Sequence, residues 1–268
     1  MSRRDAPDPS LSPSPMPPID REDLVAGLGR GLAVIEAFDD DHARMTPAEV
    51  AQITAMSRSA ARRYLLSLCH FGYARTDGRE FWLEPRVLRL GQSYLLSARL
   101  PRLAQPFLQR LSMAALETAS LGVMDGHDVV YLSRQGGRRQ SNGGFQLGAR
   151  LPAHVLSTGR AMLATWPDEA LDAWIAGHVF SAFTTHTEQD PRRFRGEILR
   201  ARSLSYAIAD QQLELGWRGL AIALRNRHGE CLGAISITMP VERLTADQMV
   251  EQYLPLLREA ETGLRALL

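Results

Sequence analysis

The stretch TPAEVAQITAMSRSAARRYLLSLCHFGYARTDGREFWL, residues 46–83, decides the architecture of the first third of the chain. It opens on three agreeing helix-start signals: Thr46 as cap, Pro47 at the first helical position and Glu49 to close a capping box. Val50, Ala51 and Ile53 give this short helix its apolar side. After the turn Thr54-Ala55-Met56 a second helix starts at Ser57, with the stripe Ala61, Leu65 and Leu68 joined by Tyr64. Gly72 can take the left-handed conformation that closes it. Residues 73–75 and 80–83 then read as strands around Asp77-Gly78, a strong hairpin signal. Upstream, Leu28, Leu32, Ile35 and Phe38 mark a first helix ended by Asp39-Asp40-Asp41. Helix, helix, turn, helix and hairpin in about 60 residues predict a winged helix-turn-helix.

The exposed side of the second of those paired helices carries Ser57, Arg58, Ser59, Arg62 and Arg63. Residues 50–76 contain no acid, while acidic flanks lie on both sides. A serine at a helix start bonds phosphate alongside backbone N–H groups, and arginine pairs with guanine edges and phosphates. Arg58, Ser59 and Arg62 are therefore expected to reach bases, and Arg75 and Arg79 on the hairpin to meet backbone or minor groove. Thr46 joins this set. A patch of this kind taken alone reads first as a solvated basic face; its position on a helix-turn-helix, followed by a hairpin, reverses that and argues for DNA.

The whole chain has 268 residues, 45% hydrophobic and 23% charged, with a formal net charge of +1. That excludes wholesale disorder and a surface coated for nucleic acid. All 31 basic residues are arginine, so any anion site uses a planar, bidentate donor. No long uncharged apolar run predicts a membrane span, and no apolar region near the start predicts a secretory leader. Cys69 and Cys231, far apart, fit a reducing compartment without disulfides. The expectation is a cytoplasmic protein.

The chain divides into a Pro/Ser-rich disordered tail at 1–23, the winged helix-turn-helix at 24–85, a linker helix at 86–101 and an α/β domain at 102–268. The linker helix proper covers 86–99 and is closed by Pro101. Its Val87, Leu88, Leu95 and Leu96, with part of the winged helix, are expected to make a two-fold protomer contact. Beyond it a helix from 103 to about 116 precedes strands at 120–124 and 129–134, a loop at 135–144 and a short strand at 145–147. Helices at 157–165, 168–176 and 191–202 lead to strands at 207–209, 217–225 and 231–239. Thr245 caps a final helix to 268. The fold class is α+β.

The segments RGLAV (30–34), RYLLSL with GY (63–68, 72–73), PRVLRLG (85–91), GARLPAH (148–154), STGRAMLA (157–164) and DQQLELGWRG (210–219) together resemble the IclR family of bacterial transcription regulators over residues 28–268. The segment at 210–219 is most similar to the branch that regulates aromatic-acid catabolism through the β-ketoadipate route. It departs in Gln212, where a glutamate is usual, and in Trp217 and Gly219, where a smaller aliphatic and a serine are common. The resemblance implies a homodimeric or tetrameric regulator of double-stranded operator DNA, repressor or activator, with a GAF-like domain for a small carboxylic acid. It implies no cofactor and no catalysis.

Carried over position by position, the resemblance puts effector contacts at Ser157, Thr158 and Gly159, Ala209, Trp217 and Gly219, and Ser236 and Thr238. Trp217 would stack on a ring, and Ser236 and Thr238 share a strand face by alternation. Arg134 is a further charge partner or a surface ion pair. Each residue has packing as its alternative reading. The seven histidines form no zinc signature. Two rival functions remain: an α/β enzyme built on His228, Cys231 and Asp210, and a winged helix used for protein contacts.

Overall fold

A computed structural model describes residues 20, 22–136 and 147–268. The tail, apart from Asp20, Glu22 and Asp23, and the short strand at 145–147, apart from Leu147 in a turn, lie outside the described residues. The chain separates into two compact units, one through Tyr94 and one from Leu95 to Leu268, with the boundary inside a helix. No helix of the described residues is long and apolar enough to cross a membrane.

The first unit holds α1 (Ala26–Glu36), α2 (Pro47–Ile53), α3 (Arg58–His70) and the antiparallel pair β1 (Ala74–Thr76) and β2 (Phe81–Leu83). The capping box at Thr46 is formed: its hydroxyl accepts from Glu49 N–H, and the Glu49 carboxylate accepts from the Thr46 N–H at 2.7 Å. Ser57 caps α3 through Ala60 N–H. Val50, Ala51, Ala61, Leu65 and Leu68 fill a core closed by Met45, Ala74 and Phe81. Three residues of the expected core stripes face solvent instead. On α1 the buried residue is Val34, while Leu28 and Leu32 are exposed, and on α2 Ile53 is exposed.

The linker region differs from the expected single helix closed by Pro101. A 3-10 turn at Pro85–Val87 leads into α4 (Leu88–Ser97), and after Ala98 a separate α5 runs Arg99–Ala115. Pro101 lies in the first turn of α5, where a missing N–H costs nothing, so it helps start a helix rather than end one.

The second unit is a six-stranded antiparallel sheet in the order β5-β4-β3-β8-β7-β6. Its strands are β3 (Thr118–Asp125), β4 (Asp128–Gln135), β5 (Arg150–Pro152), β6 (Ala207–Asp210), β7 (Trp217–Arg225) and β8 (Cys231–Pro240). The strand β5 has no counterpart in the sequence reading. On one face α6 (Ser157–Leu163), α7 (Asp168–Gly177) and α8 (Pro191–Leu204) build a core with Val129, Tyr131, Ala221 and Ala234. α5 and α9 (Ala246–Arg265) pack on each other and on the sheet, α5 chiefly on β3 and β4 and α9 chiefly on β7. Thr245 closes the second capping box, at the start of α9.

Candidate functional sites: a basic helix and a cavity

In the first unit, α2, a three-residue turn and α3 form the helix-turn-helix. Ala55 in the turn has φ +52°, and Met56 N–H bonds back to Ala51 C=O. Because Ala61, Leu65 and Leu68 are buried, the opposite side of α3 necessarily presents Ser57, Arg58, Ser59, Arg62 and Arg63, and all five are exposed. The side chains of Arg58, Arg62, Arg63 and Arg79 make no hydrogen bond or ion pair among the described residues. Ser57 Oγ lies 3.1 Å from Ser59 Oγ, which links the cap to the next turn.

Two expected contacts are already engaged. The Thr46 hydroxyl also donates to Glu49, at 2.8 Å, and is consumed by the cap. Arg75 Nε pairs with Glu84 at 3.1 Å, so part of its charge is answered within the hairpin. The hairpin tip is rigidified by Asp77, whose carboxylate accepts from Arg79 and Glu80 N–H at 2.9 and 2.8 Å. Those bonds, Glu80 first, hold its ionisation below the ordinary carboxylate range. Arg44, which sequence reasoning missed, stacks its guanidinium 4.1 Å from the centre of the Trp82 ring beside the hairpin.

In the second unit a cavity of about 60 Å³ lies against the sheet face that carries α6. Its floor is a row across four strands. Thr118 pairs with Thr238, Thr238 with Gly219, and Gly219 with Ala209. Ser157 at the start of α6 and Trp217 at the start of β7 wall it, and Tyr131 and Arg134 line it from β4. The Gly219 position is what leaves the space open. A Cβ there would stand 2.6 Å from Ser157 Oγ and 3.7 Å from Thr238 Oγ1.

Of the predicted effector residues, Arg134, Ser157, Ala209, Trp217, Gly219 and Thr238 come together around the cavity. Three do not. Ser236 belongs to the next row, paired with Ser120 and Ala221, and is fully enclosed. Thr158 is turned to the β3 side, within 3.7 Å of where a Gly122 Cβ would be. Gly159 is a packing glycine: a Cβ there would lie 2.2 Å from Ala153 C=O. Sequence reasoning missed Thr118, Ser120 and Tyr131. The alternation Thr118, Ser120 on β3 was a usable signal, but only with the register against β8 in hand.

A buried arginine fixes the cavity's surroundings. Arg160 donates to His154 C=O at 2.7 Å, Glu197 at 2.7 Å and the Gln212 side-chain carbonyl at 2.9 Å. Burial pulls its ionisation downward and Glu197 opposes this. Beside it, three histidines make a directed chain. His154 Nε2 donates to Ser181 C=O (3.1 Å), so its Nδ1 accepts from His178 Nε2 (2.8 Å), and His178 Nδ1 accepts from His127 (3.1 Å). Burial, then His154 and His127, push the His178 imidazole down to about 4. Among the described residues no group of three or more His, Cys, Asp or Glu is arranged to hold a metal.

The enzyme alternative finds no support in the same coordinates. Burial raises the Cys231 thiol, the reverse of an activated thiolate. Asp210 is spent on Arg218 at 2.9 Å, and His228 stands on an exposed turn closed by Asn226.

Comparison with known proteins agrees across both units. Residues 27–78 match the IclR helix-turn-helix domain and residues 92–264 the bacterial transcriptional regulator IclR C-terminal domain. The chain is 39% identical to the p-hydroxybenzoate hydroxylase transcriptional activator of Acinetobacter baylyi, over 92% of this chain and 93% of that one. It is 35% identical to the Pca regulon regulatory protein of Pseudomonas putida, over 90% and 84%. An IclR homolog from Microbacterium hydrocarbonoxydans, solved in complex with 4-hydroxybenzoate, superposes with a TM-score of 0.73 at 25% identity, covering 90% of this chain and 98% of that one. With both domain patterns matched in order, and relatives of this identity along nearly its whole length, the chain belongs to the IclR family of bacterial transcriptional regulators, DNA-binding proteins with an effector-binding domain.

Proposed function

We propose that this regulator binds a small aromatic carboxylic acid in the cavity between α6 and β7 and thereby controls genes of aromatic-acid catabolism. One observation carries the reading: a single cavity is lined by the aromatic Trp217, by the hydroxyl residues Thr118 and Thr238 of its floor and Ser157 of its wall, and by Arg134. An aromatic ring needs an apolar wall to stack on, its hydroxyls need polar partners, and its carboxylate needs a cation. The two curated relatives named for p-hydroxybenzoate and Pca regulation, and the neighbour holding 4-hydroxybenzoate, support the same ligand class. An aliphatic keto acid is the second reading, favoured only by the room at Gly219.

On the DNA side, Arg58, Ser59 and Arg62 meet bases and the neighbouring phosphates of the major groove, while Arg63 and Arg79 hold the backbone and Arg75 stays paired with Glu84. Two protomers on a two-fold operator would meet through apolar residues that α1 and α4 leave exposed, among them Leu28, Leu32, Leu88 and Leu96.

Calorimetry with 4-hydroxybenzoate, protocatechuate and an aliphatic keto acid tests the effector assignment on wild type, Trp217→Ala and Gly219→Ser. An aromatic acid is expected to bind, and both variants to weaken it at least tenfold. Binding of neither aromatic acid, or unchanged affinity in Trp217→Ala, refutes the assignment.

A further inference from the structure

A second cavity, of about 290 Å³, lies at the opposite end of β7 from the first. The edge strand β6 pairs with β7 only between Arg218 and Ala221, so residues 222–225 run on with that side uncovered among the described residues. α6 and α8 flank the gap on one side and α9 on the other. Four arginines line it, Arg202, Arg225, Arg258 and Arg265, against the lining carboxylate of Glu261 and that of Asp168, which pairs with Arg202.

Two of these cations are positioned and two are waiting. Arg202 is held by Ala164 C=O (3.1 Å), Trp166 C=O (2.7 Å) and Asp168 (2.6 Å), and Arg225 by Gly229 C=O (2.6 Å). Arg258 and Arg265 stand two turns apart on one face of α9, about 10 Å along its axis. Neither makes a hydrogen bond or ion pair among the described residues, and neither does Glu261 between them. Tyr206, Ser205 and Thr165 add hydroxyls to the rim. Gathering like charges around a concave space raises the local potential and favours an anion there. Guanidinium forks match the paired oxygens of phosphate and carboxylate groups.

We infer that this cavity is a second ligand site, for a compact oxyanion carrying two or more negative charges, a phosphoryl compound or a polycarboxylate. It is independent of the effector cavity and of the aromatic-acid reading.

Calorimetry on the full chain with inorganic pyrophosphate and with citrate, at ionic strength held constant with sodium chloride, tests this. Saturable binding of at least one of them, one per chain, is expected, and the anion that binds identifies phosphoryl or carboxylate chemistry. Arg258→Gln with Arg265→Gln, both exposed on α9, should weaken it at least tenfold, while Trp217→Ala leaves it unchanged. Binding of neither anion, equal binding by the double variant, or loss in Trp217→Ala overturns the inference.

Discussion

Glu84→Gln should strengthen DNA binding and steepen its salt dependence, although Glu84 is not on the recognition helix. Affinity for duplex DNA falls with salt at a slope of about −0.9 per neutralised phosphate. Arg58, Arg62, Arg63 and Arg79 are exposed and unpaired among the described residues, so each protomer offers four cations and a dimer eight. The wild-type slope is then about −7, or roughly 4 decades of affinity lost between 50 and 200 mM salt. Arg75 is left out of that count because Glu84 already answers it at 3.1 Å. Removing the Glu84 charge frees one more arginine per protomer and steepens the slope by about 2. Arg62→Ala moves it the other way by a similar amount and also costs about 1–3 kcal/mol at one base position per half-site. Fluorescence anisotropy on DNA from upstream of the gene, titrated across that salt range, reads all three slopes. A wild-type slope near zero would sink the recognition surface. An unchanged slope in Glu84→Gln, with Arg62→Ala behaving as expected, would show that Arg75 lies off the DNA.

Gly159→Ala should destabilise the second unit by more than about 3 kcal/mol, because the Ala153 backbone that its Cβ meets cannot rotate away. Gly196→Ala, with open space around it on α8, should instead be neutral or stabilise by up to about 1 kcal/mol, and urea midpoints of the two compare directly. The histidine chain gives a pH dependence. With His178 pushed down to about 4, the unfolded chain binds more protons between there and its ordinary value near 6.5. Stability is thus full above about pH 6.5 and falls as the pH drops toward 4, by about 1–2 kcal/mol once solvent screening at this partly exposed ring is counted. His154, held low by burial and by Arg160, adds in the same direction. His178→Phe should flatten unfolding curves taken from pH 7 to pH 4.5, and an unflattened dependence would place the titrating group elsewhere.

Local chemistry was legible wherever a few neighbouring residues determine the outcome. Thr46, Ser57 and Thr245 each cap the helix they were expected to start, and Asp77-Gly78 makes the turn. What failed required tertiary information. α1 has apolar residues on more than one side, and periodicity does not say which is covered, so Val34 went unnoticed while Leu28 and Leu32 were misplaced. β5 is three residues at a sheet edge, ending on Pro152, too short for alternation to register. In the cavity, Ser236 and Thr238 share a face, but only the cross-strand register reveals that the open row runs through Thr118 and Gly219 rather than through Ser236. Gly159 carries the same lesson, since a conformationally ordinary glycine inside a short helix gives no hint that backbone crowds it.

Gln212, Trp217 and Gly219 all line the same cavity, the first two on its wall and Gly219 on its floor. Gln212 accepts from Arg160 and from Glu188 N–H at 2.9 Å each, and its amide nitrogen donates to His186 C=O at 2.7 Å. A glutamate could keep the two accepted bonds but has no proton for His186, whose carbonyl would then face a carboxylate. The amide therefore leaves Glu197 as the carboxylate paired to the buried Arg160, and uses the donor it gains to tie down the segment that ends at Trp217. Thr184 and Thr187 donate to Gln211 and Gln212 C=O at 2.6 Å each, which anchors that segment a second time. Trp217 lines the cavity from this wall, and the missing Cβ of Gly219 leaves space at the floor, where it would stand 2.6 Å from Ser157 Oγ. An aromatic wall beside a floor without a Cβ at Gly219 is the shape the proposed flat, aromatic acid requires.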